Sequence, residues 1–138
     1  MLNVLVVALA LGLVAGLRTF TAPAVLLLAR HVRVAGAIVA VLAVGELVGD
    51  LLPNTPSRTK PMPLAARIVS GAFVGCYVAT GTPVVRVAGG VVGLIGAVIG
   101  TFAGHSLRLK AISRIGAIPA AVVEDVVAIG IAVAAVLA

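Results

Sequence analysis

Residues 1–17 read MLNVLVVALALGLVAGL without a single charge, and Arg18-Thr19-Phe20-Thr21-Ala22-Pro23 follows before the chain turns apolar again through Ala29. A helix crosses the hydrocarbon core in about 20 residues. Taken as one helix, residues 2–30 would run about 43 Å against a core about 30 Å thick, so the segment is too long to be a plain span. Pro23 removes a backbone donor and crowds the preceding turn, which predicts a break or kink near it. A signal peptide is the competing reading. No basic residue precedes the apolar run, and apolar sequence continues past Pro23, so the segment reads as a span.

The same texture recurs along the chain. Residues 68–85 carry no charge, nor do 87–107 apart from His105 taken as neutral. The reading is five hydrophobic helices, at about 2–30, 34–52, 63–80, 86–107 and 117–137. Four prolines between Pro53 and Pro63 separate the second from the third, and Gly81-Thr82-Pro83 turns the third into the fourth. Strand-type alternation is missing, which argues against a transmembrane barrel. Helix satisfies each backbone group locally, as lipid demands. Composition agrees. Of 138 residues, 62% are apolar and 10% charged, against about a quarter charged in soluble domains. That excludes a soluble enzyme or nucleic-acid-binding domain as the default, despite the net charge of +6. A lone cysteine excludes an internal disulfide framework. The fold class is therefore all-α integral membrane, one domain over residues 1–138.

With five spans, the second and fourth loops share a side and hold Arg58, Lys60, Arg108, Lys110 and Arg114, with Arg67 just inside the third helix. The first and third loops hold Arg30, Arg33 and Arg86. The positive-inside rule then places the N-terminus in the cytoplasm and the C-terminus outside, on a bias of only about two to one that leaves dual topology open. An internal echo accompanies this. Gly12, Ala15 and Gly16 match Gly100, Ala103 and Gly104 at one offset, and a helix carrying acids follows each. Residues 1–52 and 86–138 read as an inverted repeat of the kind secondary transporters use, joined by helix 63–80. Chance matching of common Gly and Ala is the plainer alternative.

All four acids fall in two clusters, Glu46 with Asp50 and Glu124 with Asp125. Glu46 and Asp50 are four apart and share a helical face. Glu46 lies about 10 Å from the Pro53 end of its helix, and Glu124 about 11 Å from the start of the last, so the clusters can converge at one depth on the inner side of the midplane. Asp125 points about 100° away from Glu124, which leaves one of them for the core. A charge in the bilayer centre costs about 2.5–3.5 kcal/mol or more and normally faces a partner or a hydrated cavity. Two readings follow. Clustered carboxylates can share protons or bind a cation. Alternatively, Arg67, Arg108 or Arg18 neutralises them and locks the bundle. Arg18 itself, at the break, is either a substrate anchor and counter-charge or an arginine that snorkels or pairs. His105 is a weak metal candidate, since no tight ligand motif surrounds it. Cys76 reads as a small packing residue.

Gly89, Gly93, Gly96, Gly100 and Gly104 recur every three or four residues, which predicts a groove for close approach of another helix. Because five helices enclose little volume, a homodimer or higher homo-oligomer is expected. The run Ala15-Gly16-Leu17-Arg18-Thr19-Phe20, then Gly45-Glu46-Leu47-Val48-Gly49-Asp50-Leu51-Leu52-Pro53, then Thr55-Pro56-Ser57-Arg58-Thr59, resembles a small bacterial multi-pass membrane family classed as a domain of unknown function. The resemblance implies an integral membrane protein and offers no reaction or substrate. Ala, Val, Gly and Arg usage points to a high-GC bacterial source and hence to the inner membrane.

The functional expectation is a small transporter or channel coupled to protons or cations, with Glu46, Asp50, Glu124, Asp125 and Arg18 at the site and Arg67 and Arg108 as counter-charges or gates. The alternative is a non-transporting scaffold whose buried charges specify packing. A lipid-modifying enzyme ranks last, because no triad, zinc or phosphate-binding motif is visible. No cofactor and no nucleic acid is expected. Membrane lipid is the expected partner, and the basic inner loops can hold anionic headgroups.

Overall fold

A computed structural model describes residues 2–49 and 60–137. Among them the regular structure is entirely helical: α1 (Leu2–Leu17), α2 (Thr21–Ala29), α3 (Arg33–Gly49), α4 (Pro61–Val78), α5 (Pro83–Ile115) and α6 (Ala117–Leu137). Helices α4, α5 and α6 are long and apolar enough to cross a membrane, and α1 is a shorter apolar helix of 16 residues. This is the make-up of a helical membrane protein. Asp50, Arg58 and most of the proline-rich linker lie outside the described residues.

The first expected helix is indeed two, broken within the stretch 17–23 although not at the proline itself. The interruption covers residues 18–20, and Pro23 sits in the first turn of α2. A proline there is well tolerated, because the N–H it lacks would have no partner inside the helix anyway. The fourth expected helix, 86–107, is longer at both ends. Thr82 caps its start through Oγ1, which accepts from the Val85 amide, with Pro83 at the first helical position. Its end runs past the apolar stretch through Arg108-Leu109-Lys110-Ala111-Ile112-Ser113-Arg114-Ile115, which contains no helix breaker. It stops at Gly116, whose φ of 90° is a backbone that side chains disfavour.

Glycines set the register of the bundle. A Cβ on Gly12 would fall 2.2 Å from the Gly93 carbonyl oxygen, and one on Gly16 would fall 2.3 Å from that of Ala97. Likewise Gly96 meets the Leu9 carbonyl and Gly100 that of Leu13. Moving four residues along α1 moves the contact four residues forward along α5, so the two helices are parallel. Against α4 the order reverses. Gly71 faces Gly93, and Gly75 faces Gly89, so α4 and α5 are antiparallel. The glycine groove of α5 is thus filled by the chain's own α1 and α4 rather than left for a second copy. Alanines line α6 where it meets them, with Ala128, Ala132 and Ala135 joining Ala8, Leu11 and Val14 in the core.

The parallel pairing corrects the inverted-repeat expectation. An inverted repeat of 1–52 onto 86–138 would set α1 and α5 antiparallel, and the backbone contacts are the opposite. The reason lies between them. Helices α2 and α3 form a tight hairpin, with Gly36 against Leu28 and His31 at φ 61° in the turn. Glu46, near the end of α3, comes back to the break where α2 began. The hairpin therefore returns the chain to its starting level, and α4 sets off from the same end of the bundle that α1 reached.

Candidate functional site: a charged layer at the helix break

A broken helix exposes carbonyls at the end of one half and amides at the start of the other. In this chain, side chains from three other helices meet these groups. The Glu46 carboxylate accepts from the Thr19 amide at 2.8 Å through Oε1 and from the Phe20 amide at 3.1 Å through Oε2. Phe20 has no side-chain cap of its own, so α3 supplies the cap that the local sequence lacks. The Gly16 carbonyl accepts from Arg67 Nη1 at 2.8 Å and more weakly from Thr101 Oγ1 at 3.4 Å. Ser70 Oγ donates to the Thr19 carbonyl. An anion thus sits at the start of α2 and a cation at the end of α1, the arrangement that helix dipoles favour.

The same residues pair with one another. Arg67 Nη2 lies 3.5 Å from Glu46 Oε1. Arg18, 1% exposed, is paired with Asp125, whose side chain is 21% exposed. Arg108 Nη1 lies 3.4 Å from Glu124 Oε2, equally distant in sequence from the Gly116 turn. Glu124 and Asp125 both find a partner, against the expectation that only one would face inward. Helix α6 lies against both α1 and α5, and the 100° between adjacent residues gives one acid to each neighbour.

Arg18, Arg67 and Arg108 each mark the end of a charge-free run, at 2–17, 68–85 and 87–107. With the observed register, these ends lie toward the same end of the bundle, spread over about 16 Å of α5: Arg67 is level with Ala97, and Arg108 stands eleven residues further on. The three described acids meet them there, so the result is a charged layer across one end of an apolar stack. Opposite charges in close contact inside a low-dielectric bundle attract strongly, which offsets the cost of taking each from water.

The predicted residues Arg18, Glu46, Arg67, Arg108, Glu124 and Asp125 are therefore brought into one layer, and Asp50 lies outside the described residues. His105 sits half-buried on α5, and among the described residues no group of three His, Cys, Asp or Glu side chains gathers to hold a metal. Sequence reasoning missed Ser70 and Thr101. Their signal was present, as hydroxyls set in the apolar part of charge-free runs and close to small residues. Comparison of this chain with family models, with curated proteins and with solved structures finds no match.

Proposed function

We propose that this protein is a small membrane transporter in which the charged layer is a gate and Glu46 is its proton- or cation-responsive element. The observation that carries this reading is the discontinuous helix α1–α2, whose two free ends are held by charged side chains from α3 and α4. Discontinuous helices with exposed backbone groups are the usual ion and substrate sites of secondary transporters. One carboxylate holds two amides and faces one guanidinium. Neutralising it, by a proton or a competing cation, loosens the break and releases Arg67 together. Glu124 against Arg108 is the second such contact.

The test is flux in liposomes. With an imposed potassium diffusion potential and an internal pH dye, wild-type protein should acidify or alkalinise the lumen faster than empty vesicles. Glu46→Gln and Glu124→Gln should bring the rate to the protein-free level. Unchanged flux in both variants removes these residues from the mechanism. A second reading has its own support, since Glu46, Glu124 and Asp125 each face an arginine. In that reading the pairs only lock the bundle of a scaffold, and the wild-type protein gives no flux.

The same proposal covers topology. We read α1, α4, α5 and α6 as four crossings, with α2–α3 as a hairpin that adds no net crossing, in place of five alternating spans. Lys60, Arg108, Lys110 and Arg114 then gather at one end, and Arg86 stands at the other with Leu2. The positive-inside rule now puts the basic end in the cytoplasm and the N-terminus outside, the reverse of the orientation the five-span reading gave. In a Cys76→Ser background, an impermeant maleimide applied to intact cells should label Asn3→Cys and spare Ser113→Cys. Labelling of the Ser113 variant alone restores the cytoplasmic N-terminus. A bacterial inner membrane, membership of the family that the sequence motifs resemble, and a homodimer belong to this reading too. For the dimer, α3 offers a face, because Val34, Ile38, Val41 and Val48 form an exposed apolar stripe on it.

A further inference from the structure

Where α5 and α6 run side by side around the charged layer, they leave a recess of about 200 Å³. On α5 its wall is Gly104, Leu107, Arg108 and Ala111, one continuous helical stripe, and α6 presents the matching stripe through Ala120, Val123 and Glu124. Facing stripes of this kind normally interdigitate. Here Gly104, Ala111 and Ala120 are too small to reach across. Arg108 and Glu124 are engaged with each other, which leaves an otherwise apolar lining. Leu107 is 65% exposed and Val123 53%, so the recess opens sideways onto the surface of the bundle.

Charge at its mouth is one-sided. Arg114 lies three residues beyond Ala111 and continues the same stripe, with exposed Lys110 one turn earlier. No acidic residue occurs anywhere between residues 51 and 123, and the first turn of α6, which begins just across Gly116, holds none. An apolar slot that ends in positive charge, with no acid nearby in the sequence of either wall's end, is complementary to an amphiphile with an apolar tail and an anionic head.

We propose that the α5–α6 groove binds an anionic phospholipid, with part of one acyl chain between the helices and the phosphate held by Lys110 and Arg114. This inference needs the chain to lie in a membrane but does not rest on the transport reading, so a protein without flux can still show it.

Native mass spectrometry of the detergent-purified protein tests it, with phosphatidylglycerol and phosphatidylcholine titrated in parallel. Phosphatidylglycerol should be retained preferentially. Lys110→Gln and Arg114→Gln should each weaken it roughly fivefold, the scale of one basic residue at an anionic surface, and leave phosphatidylcholine unchanged. Ala111→Phe should fill the slot and weaken both lipids, and Ala120→Phe does the same from the other wall should the first variant fail to fold. Equal retention of both lipids by the wild type overturns the headgroup assignment. Undiminished phosphatidylglycerol binding in a folded Phe variant overturns the acyl-chain assignment. Full displacement of phosphatidylglycerol by inorganic phosphate would make this a phosphate site and overturn the lipid assignment as well.

Discussion

Asp125→Ala should destabilise the folded bundle by about 3–5 kcal/mol, because it takes the paired carboxylate away from a buried guanidinium. Arg18 is 1% exposed, and a guanidinium does not give up its proton at any accessible pH. The reverse deletion should be milder. Arg18→Met leaves Asp125, which is 21% exposed and can shed its charge by taking up a proton. The double variant Arg18→Met with Asp125→Leu should recover most of the loss, since apolar residues of similar size often replace a buried ion pair at little cost. Unfolding of the detergent-solubilised protein by sodium dodecyl sulfate gives the ranking. A double variant as unstable as the sum of the two single ones would mean that the guanidinium and the carboxylate are not each other's main partner.

The second large effect belongs to the glycines. A Cβ on Gly75 would stand 2.1 Å from the Gly89 carbonyl oxygen, and the obstacle is backbone, which cannot swing aside. Gly75→Val should force α4 from α5 at a cost of about 3 kcal/mol or more, the upper part of the range for overpacked interiors. Gly16→Val should behave alike against α5. Gly45→Ala and Gly130→Ala are the controls. Neither Cβ would have a neighbour within 4 Å, and each should be neutral or stabilising by up to about 1 kcal/mol through better helix propensity. Melting temperature of the purified variants separates the two classes. A Gly75→Val protein as stable as the Gly45→Ala control would refute the close α4–α5 contact.

The difference between these classes marks how far the sequence is readable. Glycine spacing on α5 announced a close-packed face, but a stripe of small residues reads the same in both directions. It could not say that α1 lies parallel, so the inverted repeat looked plausible on offsets alone. The end of α5 was hidden for a related reason. Hydropathy marks where apolarity stops at Arg108, whereas the helix stops only where the backbone must, at Gly116. At the break, Pro23 drew attention as the one strong local signal, and the groups that hold residues 18–20 come from Glu46, Arg67 and Ser70. No local rule reveals partners that far along the chain. The charges were the legible part. Acids and arginines, expensive in an apolar interior, were readable as groups that had to meet or be hydrated. Which acid meets which arginine depended on the helix directions, and those came only with the packing.

The parallel pairing of α1 with α5 also has a consequence in time. Gly12 and Gly93, which touch in the finished bundle, emerge from the ribosome roughly 4–16 s apart at about 5–20 residues per second. During that interval α1 is without its main neighbour, and Arg18 without Asp125. The earliest helix to be synthesised waits longest for its partners. A nascent chain halted before α5 should therefore hold α1 loosely, open to proteolysis and to whatever insertion factor shelters it, until the glycine face that fits it has been made.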